Sequence, residues 1–386
     1  MTREIYLDNS ATTKPFASVR TIMDRALEAE YGNPSALYRK GLEAEQLVRE
    51  AQRRIASSLR ASENEILFTS GGTESDNLAL MGTAFARRRL GSQLITTAVE
   101  HPAVLRTMEY LQTQGFQVTI LPVDSRGVVR LEDLARALTK ETILVSMMLV
   151  NNEVGAVQPV EEAAALIHEK APLAYFHVDA VQGYGKYRIR PKQSGIDLLA
   201  VSGHKIHGPK GVGFLYVRDG VNLQPILWGG GQQRGLRSGT ENVPGIAGLG
   251  QAAVDIYQEH EVRTERLYQL RERLTERLLA LPDTLVNGPR GQEGAPHIVS
   301  ASFPGIRSEV LLHALEEKGI YVSSGSACAS HHPGVSSTLA AMHLPKSSLE
   351  STLRFSLSIF TTQEEIDETA DAVEALLPVC RRYIRR

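Results

Sequence analysis

The run Ile66-Leu67-Phe68-Thr69-Ser70-Gly71-Gly72-Thr73-Glu74 passes from β-prone apolar residues through a paired glycine into the helical pattern of Thr73 to Arg88. A strand that turns through small residues directly into a helix is the opening of a β-α unit, and the alternation continues downstream. Leu94 to Val99 precedes a second helical pattern and Val118 to Leu121 a third element. Ile143 to Val150 reads as a strand buried on both faces, followed by a helix through Glu161 to Glu169. Tyr175 to Val178, Leu198 to Val201 and Gly213 to Val217 complete a set of about seven strands. Strands alternating with helices over this span predict a mainly parallel, helix-covered sheet.

The C-terminal third differs. One long helical pattern rich in Glu, Arg and Leu runs from Val243 to about Leu281 and is broken by Pro282. Beyond it, Ile298 to Phe303, a helix near Ser308 to Glu317, Tyr321-Val322, Leu353 to Leu357 and a terminal helix predict a separate α+β unit. The reading is an α/β fold of two unequal parts: a large domain over residues 14–260, and a small α+β domain made from residues 1–13 and 261–386.

Composition narrows the function. The 386 residues carry 42 Lys+Arg against 44 Asp+Glu, a net charge of −2, which gives no general electrostatic attraction to nucleic acid or to an anionic membrane. The N-terminus shows Arg3, Glu4 and Asp8 and no apolar h-region, so a secretory signal is not expected there. With only Cys328 and Cys380, no disulfide framework is expected, and a reducing cytoplasm is the simplest setting. Gly203 to Lys210 lacks the Gly-Lys-Ser/Thr ending of a P-loop, and Gly229-Gly230-Gly231 lacks the third glycine of a dinucleotide fingerprint. His331-His332 has no Cys or acidic partner at ligand spacing, so no metal site is expected.

A different cofactor fits. Asp179 follows a strand, where a buried carboxylate is costly unless paired; a protonated pyridine nitrogen would pair it. Lys205, in Ser202-Gly203-His204-Lys205 after the next strand, can form an imine. A Schiff-base lysine with an Asp on the ring nitrogen is the pairing expected of pyridoxal phosphate enzymes. Gly71-Gly72-Thr73-Glu74 opens a helix after a strand, so free N–H groups and the Thr73 hydroxyl can cradle a phosphate, with Ser202 and His204 as further donors. His101, between a strand and a helix, can stack on the ring and move protons.

Nearly the whole chain resembles the cysteine desulfurases, fold-type I pyridoxal-phosphate enzymes of the class-V aminotransferase family. The motifs are Tyr6 to Thr13 (YLDNSATT), Gly32-Asn33-Pro34-Ser35, Ser70 to Ser75 (SGGTES), Glu100-His101, Val150 to Gly155 (VNNEVG) and His177 to Gln182 (HVDAVQ). Ser202 to Lys205, Arg237 to Thr240 (RSGT), Ser323 to Cys328 (SSGSAC) and Arg354 to Leu357 (RFSL) follow in order.

The resemblance implies that Lys205 carries the cofactor, Asp179 pairs with the ring nitrogen, His101 stacks on the ring and Gln182 bonds the phenolic oxygen. It also implies that Gly72, Thr73, Ser202 and His204 hold the phosphate, with Thr240 reaching it from the other subunit of a homodimer. Asn152 and Arg354 would grip the carboxylate of L-cysteine, and Cys328 would take its sulfur as a persulfide and pass it to an acceptor protein. That acceptor would serve iron–sulfur cluster assembly or tRNA or cofactor thiolation. The small-residue run around Cys328 resembles the subgroup with a long catalytic loop. Tyr38 stands where the family often has a histidine, and Ser358 where a glycine is common. Only 32 residues follow Arg354, which shifts the expected acceptor toward a dedicated thiolation protein. The alternatives are a selenocysteine lyase, another aminotransferase-like pyridoxal-phosphate enzyme, or a non-catalytic sulfur carrier.

Overall fold

In the computed structural model, which describes residues 4–324 and 336–384, the first strand is β1 (Ile5–Tyr6). There follow β2 (Ile66–Thr69), β3 (Gln93–Thr97), β4 (Gln117–Leu121), β5 (Thr142–Met148), β6 (Tyr175–Asp179), β7 (Leu198–Ser202) and β8 (Gly213–Val217). The last four are β9 (Leu285–Asn287), β10 (Ile298–Ser302), β11 (Ile320–Tyr321) and β12 (Thr352–Ser356). Strands β2 to β8 form one seven-stranded sheet in the order β2-β8-β7-β6-β5-β3-β4. All its pairings are parallel except the two that β8 makes, with β2 and β7. Every residue of β5, β7 and β8 is buried, as expected of strands with helices on both faces.

Two features of this sheet set up the site. The C-terminal ends of β6 and β7 lie side by side, with Asp179 opposite Ala200 in the register, so Asp179 and Ser202 emerge at the same edge. In open α/β sheets this edge is where ligands bind. Close to it, β2 ends and helix Gly72–Arg87 begins through Gly71, whose φ of +154° lies in a region side chains avoid. The neighbouring start of β8 is Gly213, where a Cβ would stand 2.7 Å from the Gly71 Cα. Two backbones in contact there leave no room for side chains, and the turn is pinned against the sheet.

The second sheet is antiparallel, in the order β12-β10-β9, and β1 pairs in parallel with β11 beside it. A separate apolar cluster packs behind, including Leu7, Phe303, Leu353, Phe355, Val373, Leu377 and Cys380. The long helical pattern of 243–281 proves to be two helices, Val243–Asp255 and His260–Leu279, separated at Glu259, which takes φ 48°. The break has a packing cause. Leu249, Ala252 and Ala253 belong to the core of the large sheet, whereas Leu267, Leu270, Leu274 and Leu278 belong to the second cluster. A non-glycine residue makes the turn, so no Gly or Pro marked it. Among the described residues, no helix is long and apolar enough to cross a membrane.

Candidate active site

Asp179 is the last residue of β6 and is buried; its Oδ1 accepts the Val181 N–H at 2.9 Å, a local turn that keeps the carboxyl at the sheet edge. Burial, and then the neighbouring Asp76, push its pKa up to about 7. From the next strand, Ser202 leads into the short turn Gly203–Lys205. Lys205 Nζ donates to the Ser10 carbonyl and, at 2.8 Å, to that of Ala11. The residues 8–13 that supply these carbonyls also reach other site residues. Ser10 O accepts from Gln182 Nε2 at 3.0 Å, and Thr12 Oγ1 lies 3.2 Å from His204 Nδ1. Gln182 Oε1 also meets His297 Nε2 at 3.3 Å.

On the facing side, the N-terminus of helix Gly72–Arg87 brings Gly72 and Thr73 to the cavity. A Cβ on Gly72 would lie 2.7 Å from Val181 Cγ2, so only glycine lets the helix end approach this closely. His101 caps helix Pro102–Thr113: its Nδ1 accepts the Ala103 N–H at 3.1 Å, with Pro102 at the first helical position. Burial, assisted by the charge of Lys205, pushes His101 down to about 4, and His204 is likewise pushed down to about 4, first by burial. Both rings are neutral near pH 7.

Arg354, in the middle of β12, is only 2% exposed. Nη2 donates to Asp8 Oδ1 at 2.7 Å and Nη1 to the Asn152 carbonyl at 2.9 Å, while the buried Nε has no hydrogen-bond partner. The guanidinium is therefore oriented, and of its five N–H donors the Nε–H and one on each Nη remain for a further acceptor.

One cavity is lined by Gly72, Thr73, His101, Asn152, Asp179, Gln182, Ser202, His204, Lys205 and Arg354, ten of the residues singled out from the sequence. Thr240 is exposed and does not line it, and Cys328 lies outside the described residues. Tyr38 is exposed at the start of helix Arg39–Leu59, and Ser358 is buried with its Oγ accepting the Phe360 N–H. Three further contributors carry no role in the sequence reading: Asp8, the Ser10–Ala11 carbonyls and Asp76, which also lines the cavity. An acid on the apolar face of an amphipathic helix was the available signal for Asp76. Among the described residues, no cluster of His, Cys, Asp and Glu could hold a metal.

These side chains fit pyridoxal phosphate. A desolvated carboxyl is best satisfied by a protonated ring nitrogen. A glycine-opened helix end suits a phosphate, and an amine held by two carbonyls in the same cavity suits the aldehyde.

The comparisons with known proteins agree with that fit. A family model described as Aminotransferase class-V matches residues 5–369. The chain belongs to this family, in its cysteine desulfurase branch. Cysteine desulfurase IscS of Methanosarcina thermophila is 44% identical over 98% of this chain and 93% of its own length. The cysteine desulfurase of a Nostoc species is 45% identical over 97% and 92%. Among solved structures, a NifS-like protein superposes with a TM-score of 0.92 at 39% identity, covering 98% of this chain and all of its own. SspA in complex with cysteine superposes at 0.81 with 33% identity, covering 93% of this chain and all of its own. Members of this desulfurase branch are pyridoxal-phosphate enzymes.

Proposed function

We propose that the chain is a cysteine desulfurase that converts L-cysteine to L-alanine and transfers the sulfur to Cys328. The observation that carries this reading is the meeting of Asp179, Lys205 and Arg354 in one cavity. Pyridoxal phosphate, when bound, supplies an aldehyde that exchanges amines and a ring that accepts electron density from the α-carbon. The rest falls to the chain.

Asp179 would hold the proton on the ring nitrogen, and its burial would strengthen that pairing. Gly72, Thr73, Ser202 and His204 bind the phosphate. Neutral His101 would cover one face of the ring without adding a positive charge, and the Gln182 amide would serve the phenolic oxygen. Arg354 takes the substrate carboxylate on its free edge, with Asn152 beside it, a charge-assisted contact that fixes which bond at the α-carbon faces the ring. Lys205 Nζ, once its amine is free, removes the α-proton and returns it. Cys328, as thiolate, then attacks the substrate sulfur: an S–S bond forms as the C–S bond breaks, and the departing carbon fragment takes up a proton. L-cysteine and a thiol become L-alanine and a persulfide, with no external oxidant or reductant.

The same reading makes the protein a homodimer, because Thr240 is exposed in one chain and has a phosphate to bind only across an interface. Exposed Trp228 and Leu37 support it as surfaces that a second copy would cover. The persulfide passes to an acceptor protein in the cytoplasm, for iron–sulfur cluster assembly or for thiolation of tRNA or a cofactor.

Mass spectrometry after incubation with L-cysteine, paired with an alanine assay, tests the reading. The wild type gains one sulfur on Cys328 and releases alanine. Cys328→Ser keeps its cofactor absorbance and forms no persulfide. Normal alanine production by the serine variant would contradict the assignment of the nucleophile.

A further inference from the structure

Asp179 is not the only acid at the cavity. Asp76, on the second turn of helix Gly72–Arg87, is 1% exposed and lines the same cavity. Its Oδ1 has no hydrogen-bond partner and stands 3.4 Å from Nε2 of His177, an atom equally buried and equally without a bond. His177 lies two residues before Asp179 on β6, so both side chains project to the same face of the sheet. The other ring nitrogen of His177, Nδ1, meets Ser146 Oγ on β5 at 2.9 Å. A row therefore runs from helix to sheet: Asp76, His177, Ser146. A third acid, Glu100, is already engaged by Thr97 Oγ1 at 2.7 Å and the Met148 N–H at 2.8 Å.

Charge counting decides what the row does. Two carboxyls face one cavity, and a protonated ring nitrogen brings a single positive charge. It can compensate one carboxylate; a second, on side chains this deeply buried, would be a desolvated anion without a partner charge. His177 supplies no cation, because burial pushes it down to about 4, and burial holds Asp76 well above the usual carboxylate range. The remaining arrangement gives Asp76 an O–H that points at the bare Nε2 lone pair, while His177 Nδ1–H donates to Ser146 Oγ.

We propose that Asp76 is a positioning residue, a neutral carboxylic acid that hydrogen-bonds His177 and leaves Asp179 as the sole anion beneath the cofactor ring. This rests on the reading of the cavity as a pyridoxal-phosphate site. Lys205 and His101 also face this cavity; Lys205 Nζ donates to the Ser10 and Ala11 carbonyls, and His101 Nδ1 accepts the Ala103 N–H.

The test uses the holoenzyme of the wild type, Asp76→Asn, Asp76→Ala, Ser146→Ala and Asp179→Asn. The readouts are the pH titration of the cofactor's visible band and the cofactor dissociation constant. Asparagine mimics a neutral carboxyl, so Asp76→Asn leaves the titration midpoint unmoved and the constant within about twofold. Asp76→Ala moves the midpoint and weakens binding about fivefold to twentyfold, and Ser146→Ala does the same by less. If the alanine variant does not fold, the asparagine and Ser146 variants still decide. A midpoint shift in Asp76→Asn as large as in Asp179→Asn would show that Asp76 carries charge and overturn the proposal. So would Asp76→Ala or Ser146→Ala variants indistinguishable from the wild type. A wild type that takes up no cofactor would instead sink the proposed function itself.

Discussion

The floor of the cavity and its corner handle charge in opposite ways. On the floor, built by β5, β6 and the helix after β2, burial dominates: Asp179 is pushed up to about 7 and Glu100 to about 8. In the corner, built by β12 and the segment after β1, Arg354 is as deeply buried but already faces Asp8 at 2.7 Å. The floor is poised to receive a cation. The corner is neutralised in advance, so in the proposed function an incoming carboxylate would share the guanidinium with Asp8. One region gains from binding by satisfying a desolvated acid; the other gains by exchanging or adding one carboxylate partner.

Lys205→Ala tests the difference most severely. The floor should still bind the cofactor, while alanine formation falls by about 10,000-fold, because the residue proposed to move the α-proton is gone. A stopped assay of alanine together with the absorbance of the purified variant reads both. Arg354→Lys breaks the corner only. Losing the forked contact should lower kcat/KM for L-cysteine about 100-fold, mostly through KM, with cofactor content unchanged.

The floor predicts its own pH dependence. Asp179 has a folded pKa near 7, well above its ordinary value. Between about pH 4 and 7 the folded cofactor-free chain keeps a proton that the unfolded chain has released, so this group's contribution to stability is present at low pH and lost as pH rises. Relative to Asp179→Asn, the cofactor-free wild type should lose about 2 kcal/mol between pH 5 and 8, seen as a converging or crossing of the two melting curves. The corner predicts a smaller effect. Asp8→Asn keeps an oxygen beside Arg354 but removes the competing charge, and KM for L-cysteine should fall about threefold with kcat unchanged. A rise in KM would mark Asp8 as a support for Arg354 and nothing more.

Much of the floor was legible in the sequence, because its signals are local. Apolar runs gave seven strands, and a carboxylate and a lysine placed just after two of them, Asp179 and Lys205, declared a pairing. The corner was less legible. Asp8 and Arg354 lie in widely separated segments, brought together by β12 and the segment that follows β1, and no spacing rule encodes that contact. The turn at Glu259 was missed for a related reason: two consecutive amphipathic helices serving different cores read as one period when no Gly or Pro divides them. Asp76 was hidden because an acid in a helix is ordinarily solvated, and its burial depends on the sheet beneath. The role implied for Thr240 needs a second subunit.

The central claim is that Lys205 faces the carbonyl carbon of a cofactor whose ring nitrogen meets Asp179. Borohydride reduction of the purified holoenzyme, followed by peptide mapping, tests it most directly. The account predicts the pyridoxyl group on Lys205 and on no other lysine. A group fixed to a different residue, or no modification in protein supplied with pyridoxal phosphate, would contradict it.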